Sequence, residues 1–229
     1  TCVVVPNAFH YAGVDVIYAD IELDTYGLDA NSFEERIAPS TKAVLLHHLY
    51  GLVARDYERV LEIARARKLY VIEDCAHATG AMFKNRRIGN LGDVAFYSSE
   101  QSKVFTTIQG GIATTNNATI AKGLEEYYER APYPSISRTT ELLNAVGVYR
   151  DKVDPSHVWW INELKHATFV PPVSTTVGEL EGIRPTYYGE KMPAPLAAIG
   201  IHQINKLDRY NQSRRETAKR WDLWCRAHS

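Results

Sequence analysis

The chain has 229 residues, 45% hydrophobic and 23% charged, an ordinary globular composition with enough apolar material for a sizeable core. A net charge of −1 gives no electrostatic case for nucleic acid or an anionic membrane surface, and no apolar run approaches the ~18 residues of a transmembrane helix. Three cysteines, Cys2, Cys75 and Cys225, are too few for a disulfide framework, and Thr1-Cys2-Val3 lacks the regions of a signal peptide, so the sequence reads as a reduced, cytoplasmic protein.

Cys2 to Val5 is predicted as a strand ending at Pro6, and Val16 to Asp20 as a second strand, followed by the turn Asp24-Thr25-Tyr26-Gly27. Asn31 to Ile37 reads as a short helix and Lys42 to His47 as a buried strand. His47 and His48 are adjacent, so on a strand they point apart and make a poor metal pair; a structural role is expected for both. From Asp56 to Lys68, Tyr57, Val60, Leu61 and Ala64 follow the i, i+3, i+4, i+7 spacing of an amphipathic helix. That helix returns to a β-branched run at Tyr70, completing a β-α-β unit with an expected right-handed crossover. Regular alternation of this kind predicts a mostly parallel sheet with helices on both faces, a three-layer α/β/α arrangement.

The chemistry concentrates between Leu69 and Thr115. Tyr70-Val71-Ile72 is predicted as a buried strand that delivers Glu73 and Asp74 at its carboxyl end, where ligands sit in open α/β sheets. A second strand, Val94 to Tyr97, delivers Ser98-Ser99-Glu100-Gln101-Ser102-Lys103, and Gly110-Gly111 leads into a third run, Ile112 to Thr114. An acid, a hydroxyl cluster and a lysine at successive strand ends match the needs of pyridoxal 5′-phosphate (PLP). The lysine forms the Schiff base, the acid pairs with the pyridinium nitrogen, and hydroxyls and backbone N–H groups hold the phosphate. Each residue also has a plainer reading. Asp74 could be a helix N-cap, Lys103 an exposed surface residue, Ser98 a turn cap and His77 a satisfied core histidine.

The running order ED-x-A-x-A-x-G-A, then G-x-x-G-D-x-x-x-(Y/F)-S, then K, then a Gly-Gly pair resembles the nucleotide-sugar aminotransferases of the DegT/DnrJ/StrS family, PLP-dependent enzymes of fold type I. The resemblance covers nearly the whole chain. It implies that Asp74 meets the ring nitrogen, that Ala76 and His77 follow with His77 near the phenolic oxygen, that Ser98 binds phosphate and that Lys103 is the Schiff-base residue. It also places His10, four residues after Pro6, where the family carries an aromatic that stacks on the cofactor ring.

Beyond Asn117, Ala118 to Arg130 reads as a helix broken by Ala131-Pro132-Tyr133-Pro134. Helices are predicted at about 138–148 and 156–167, with Trp159 and Trp160 as packing residues, and Phe169 to Arg184 as a long loop. From Ala194 the pattern predicts one long helix, with Arg214-Arg215 on a solvated face. Tyr188 to Asp208 resembles the family's N-(Y/F)-R-M-x-x-x-x-A-A-x-G-x-x-Q-L segment, with Gly189 and Lys191 replacing the Asn and Arg that can reach a neighbouring subunit's cofactor phosphate.

The family's upstream Gly-Thr/Ser phosphate stretch and its carboxyl-terminal small domain find no counterpart. The chain is expected to be a fragment or a truncated relative. Residues 1–190 would form a PLP-binding large domain and 191–229 the start of the C-terminal region. The resemblance implies a homodimer in polysaccharide biosynthesis that transfers an amino group from an amino acid, glutamate being the expected donor, to a keto-sugar nucleotide. Two alternatives stand beside it: a PLP-dependent sugar dehydratase, which would carry His at the Schiff-base position, and a cofactor-poor relative serving as a binding module. No G-x-G-x-x-G follows a strand, which argues against a dinucleotide-binding domain.

Overall fold

The computed structural model describes residues 2–153 and 176–228. Its centre is a four-stranded sheet made of β1 (Ala43–His47), β2 (Tyr70–Asp74), β5 (Val94–Ser98) and β6 (Gly111–Thr114), in the order β1-β2-β5-β6. The first three strands are parallel and β6 is antiparallel to β5. The parallel pairing of β1 with β2 is what the intervening helix α3 (Tyr57–Ala66) requires, because parallel neighbours need a crossover.

Alternation along the strands assigns their faces. Val44, Leu46 and Val71 are buried beneath α3, whose Tyr57, Val60, Leu61 and Ala64 are all at most 6% exposed, and beneath Phe33 of α2 (Ala30–Arg36). Burying each large apolar side chain here contributes about 1.5–3 kcal/mol, so a charge at Val60 would split this layer. Asp29 caps α2, accepting the Ser32 N–H at 2.8 Å. Asp93, just before β5, accepts the Val71 N–H at 2.7 Å and ties the entry of β5 to β2.

A small hairpin, β3 (Met82–Phe83) and β4 (Arg86–Arg87), projects between β2 and β5. Its turn residues Lys84 and Asn85 have φ of 45° and 62°, the left-handed pair of a type I′ turn. After the sheet come α4 (Ala118–Arg130), capped by Asn117 onto the Thr119 and Ile120 N–H groups, and α5 (Ile136–Val153). The predicted helix at 156–167, with Trp159 and Trp160, lies outside the described residues.

Several expectations are corrected. Cys2–Val5 is not a strand: α1 runs from Val4 to Tyr11. A short apolar run does not distinguish strand from buried helix, and Pro6 sits in the first turn, where a missing N–H costs nothing. Val16–Asp20 forms no ladder; the pairing nearby is a single bridge between Ile21 and Leu28, and Ile17 and Tyr18 are exposed. Within the expected loop before Arg184 lies α6 (Val177–Leu180), closed by a capping box between Thr176 and Glu179. Asn7 of α1 donates to the Glu179 carbonyl at 2.6 Å, which seats α1 against α6. The long helix expected from Ala194 is two, α7 (Ala194–Ile204) and α8 (Leu207–His228), separated at Asn205-Lys206. Arg214 and Arg215 are exposed on α8, as predicted.

Candidate active site

The strand register sets the site. His47, Asp74 and Phe96 are Cα partners across β1, β2 and β5, so their side chains share the face away from α3, with Ser98 two residues further along. Glu73 and His48 belong to the other face. The adjacent histidines therefore do point apart, as the sequence predicts.

Glu73 is fully buried and structural. It accepts hydrogen bonds from His48 Nε2 (3.1 Å), the Tyr57 hydroxyl (2.9 Å) and the N–H groups of Gly89 (3.1 Å), Leu91 (2.9 Å) and Gly92 (2.7 Å). Burial alone would raise its pKa, but these donors together bring it down to about 2. Cys75 lies close enough to complete a His48-Glu73-Cys75 trio with donor atoms within 4.8 Å of one another. Burial pushes that thiol's pKa up, and Glu73 and Asp74 push the same way. A protonated thiol beside a carboxylate already holding five protein donors is a packing knot, not a metal site.

Asp74 is different. It is 1% exposed, and Oδ1 accepts the Ala76 N–H at 3.0 Å. Oδ2 is buried and has no hydrogen-bond donor among the described residues; His47 Nε2 stands 3.7 Å away. A buried carboxylate oxygen without a donor is costly and marks a position prepared for one. Around it, the exposed His77 ring stacks on Tyr50 (6.0 Å, 15°) and lies 5.7 Å from the His47 ring. Burial lowers the pKa of His77, the charge of Lys103 lowers it further and Asp74 opposes both. His77 thus sits within the electrostatic reach of both charged residues.

Lys103 is half-buried in the loop between β5 and β6. Its Nζ has no ion-pair partner among the described residues, so the amine is not tied up by an acid. The loop itself is firmly held. Ser99 N–H donates to Gly110 O (3.0 Å), Gln101 N–H to Ile108 O (3.1 Å) and Thr107 N–H to Ser99 O (2.9 Å), while the Ser99 and Thr107 hydroxyls meet at 2.6 Å in the interior. Ile108 is forced to φ 66°, an unusual conformation for a β-branched residue. From α7, Gln203 Oε1 accepts the Thr106 N–H (3.0 Å) and Gln203 Nε2 donates to Thr106 O (2.6 Å). A Cβ at Gly200 would stand 3.0 Å from Thr107 Cγ2, so Gly200 lets α7 approach this closely. Gly200 and Gln203 are residues of the motif around Ala194–Asp208, and only the structure shows what their spacing is for.

The other sequence candidates are placed as follows. Ser98 ends β5 half-buried, its Oγ accepting the Glu100 N–H at 3.2 Å. Ala76 supplies the N–H on Asp74. His10 is exposed on α1, and its described ring contact is Tyr11 at 6.4 Å, not the Asp74, His77 or Lys103 group. Lys191 places its Nζ between the rings of Tyr128 (4.9 Å) and Tyr133 (4.8 Å) and 3.3 Å from Glu129 O. The following Met192 closes over Gly110, where a Cβ would meet Met192 Cε at 2.6 Å.

Residues 1–223 match the DegT/DnrJ/EryC1/StrS aminotransferase family, and the chain belongs to it. It is 34% identical over 221 residues to the L-glutamine:2-deoxy-scyllo-inosose aminotransferase of Streptomyces kanamyceticus, covering 95% of this chain and 44% of that protein. It is 38% identical over 114 residues to the GDP-perosamine synthase of Escherichia coli O157:H7, covering 50% and 31%. The fold resembles that of PseC from Helicobacter pylori, an aminotransferase involved in pseudoaminic acid biosynthesis, with a TM-score of 0.68 at 17% identity over 97% of this chain and 48% of that one. The chain spans less than half the length of these two curated relatives. Among the described residues no helix is long and apolar enough to cross a membrane.

Proposed function

We propose that this chain belongs to a PLP-dependent sugar aminotransferase that moves an amino group from glutamate to a keto-sugar nucleotide, with a homodimer as the working unit. The observation that carries the reading is Asp74 Oδ2. It is a buried carboxylate oxygen with no donor among the described residues, at the end of β2, with His77 three residues on and within the electrostatic reach of both Asp74 and Lys103. A protonated ring nitrogen would supply a donor to this oxygen. When bound, PLP supplies an electron sink for the carbon that loses its proton.

The chain's own residues then divide the work. Asp74 would hold a proton on the ring nitrogen through its buried carboxylate. Lys103 would provide the amine that holds the cofactor and could serve as the base and acid for the proton that moves. His77, stacked on Tyr50, would be the residue next to the cofactor's phenolic oxygen. Ser98 keeps its hydroxyl proton available to a phosphate oxygen, since its Oγ accepts from Glu100 N–H. The Glu100 carboxylate accepts the N–H and hydroxyl of Ser102 through Oε2. Ser98 would contribute its hydroxyl to phosphate binding. Lysine rather than histidine at position 103 favours transamination over dehydration.

Borohydride reduction of the protein incubated with PLP, followed by peptide mass mapping, tests the assignment. The pyridoxyl group is expected on Lys103, and a label confined to other lysines would reject it. Amino transfer should be assayed with glutamate and glutamine as donors, and with a keto-sugar nucleotide and a cyclitol ketone as acceptors, because the relatives' names span both pairs.

A further inference from the structure

His47 closes β1 and Asp74 closes β2, and the parallel register pairs them directly. Both side chains therefore lie on the face that carries the candidate site, with exposures of 17% and 1%. Asp74 Oδ1 is fixed by the Ala76 N–H at 3.0 Å, while Oδ2 has no hydrogen bond among the described residues and His47 Nε2 faces it at 3.7 Å. That separation is too long for a hydrogen bond, so Oδ2 keeps its lone pairs for another donor. It is short enough for a weak electrostatic contact between the polar edge of the imidazole and the carboxylate, which opposes rotation of Asp74.

The charge state matters as much as the contact. Burial lowers the pKa of His47, the neighbouring His77 and His48 push the same way, and Asp74 alone among these side chains opposes them. A neutral imidazole leaves the negative charge of Asp74 uncompensated. A charged one would form an ion pair at the very oxygen a ring nitrogen needs. Nothing in the sequence singled out this contact, because His47 there is simply the first of two adjacent histidines with no ligand geometry.

We propose that His47 is a positioning residue for Asp74, orienting Oδ2 toward the cofactor's ring nitrogen while leaving the carboxylate's charge available to hold the ring proton. The inference rests on the PLP reading above and goes beyond it by assigning a residue from β1 to control of the ring.

The test is titration of the wild-type protein, His47→Leu and His47→Gln with PLP labelled with 15N at the ring nitrogen. It reads the nitrogen chemical shift and the PLP dissociation constant, with circular dichroism of the apoprotein to establish folding. The wild type is expected to show a protonated ring nitrogen. His47→Leu should move the shift toward the unprotonated value and weaken PLP about fivefold, the scale of one modest polar contact. His47→Gln, which restores an N–H at similar reach, should return both toward wild type. If His47→Leu does not fold, His47→Gln against the shorter His47→Asn decides the matter, with the wild-type shift expected in the first and lost in the second. Wild-type protein that leaves PLP unbound or its ring unprotonated would overturn the proposed function. A protonated wild-type ring with an unchanged shift in a folded His47→Leu, or in both amide variants where His47→Leu does not fold, would overturn the role of His47 alone.

Discussion

Gln203 grips Thr106 with both ends of its side-chain amide, accepting at 3.0 Å and donating at 2.6 Å across 97 positions of sequence. The contact imitates a rung of a β-ladder and fastens α7 to the loop that carries Lys103. Position 203 thus steadies the loop that holds Lys103, with its described bonds made to Thr106.

Gln203→Leu should cost about 1–3 kcal/mol, because it leaves the Thr106 N–H and carbonyl without their partner. Urea unfolding gives the total, and amide exchange gives the location. Faster exchange confined to residues 99–110 is the expected pattern, and protection unchanged there would show that the loop is held by other means.

Asp74→Asn keeps the shape of the side chain and removes its charge. Attachment of PLP to Lys103 should survive, while transamination should fall by a factor of about 100 or more, the usual scale for a group that stabilises developing charge. Turnover near the wild-type rate would exclude the role assigned to Asp74.

Glu73 carries a pH dependence whose sign follows from its depressed pKa. Held at about 2 against an ordinary 4.5, it contributes its stability in full above pH 4.5 and loses it as the pH falls toward 2. The scale is about 3 kcal/mol. Urea melts at descending pH should show wild type well above Glu73→Gln at neutrality, with the gap closing below pH 4.5.

Gly89 has φ 91°, and a Cβ there would stand 1.9 Å from the Tyr97 hydroxyl. Gly89→Ala should destabilise by about 3 kcal/mol through backbone strain and steric overlap. Adding Tyr97→Phe should recover part of the loss in a thermal melt, since it removes the overlapping atom; additive losses would rule out that contact as the cause.

Much of the sheet was legible because its strands are short β-branched or apolar runs ending at polar clusters. Tyr70–Asp74 and Val94–Ser98 carry both signals, and Tyr57, Val60, Leu61 and Ala64 announce α3 by spacing alone. Val3-Val4-Val5 misled because β-branching expresses a preference that a tertiary partner overrides, here α6 through Asn7 and Glu179. The α7–α8 break at Asn205 has no glycine or proline to announce it. In the site, Asp74 and Lys103 stand out by motif. The pairing of His47 with Asp74 is a property of register between strands, which no single strand's sequence encodes.

The slot that holds Lys191 between Tyr128 and Tyr133 has a bearing on selectivity toward aldehydes. An amine enclosed by two rings, with its side chain 8% exposed, offers little approach to an incoming carbonyl carbon. Lys103, half-buried and with no acidic partner among the described residues, presents the opposite case. The fold therefore encloses one lysine, between two rings and beside Glu129, while another stays half-buried, a difference in access between identical functional groups.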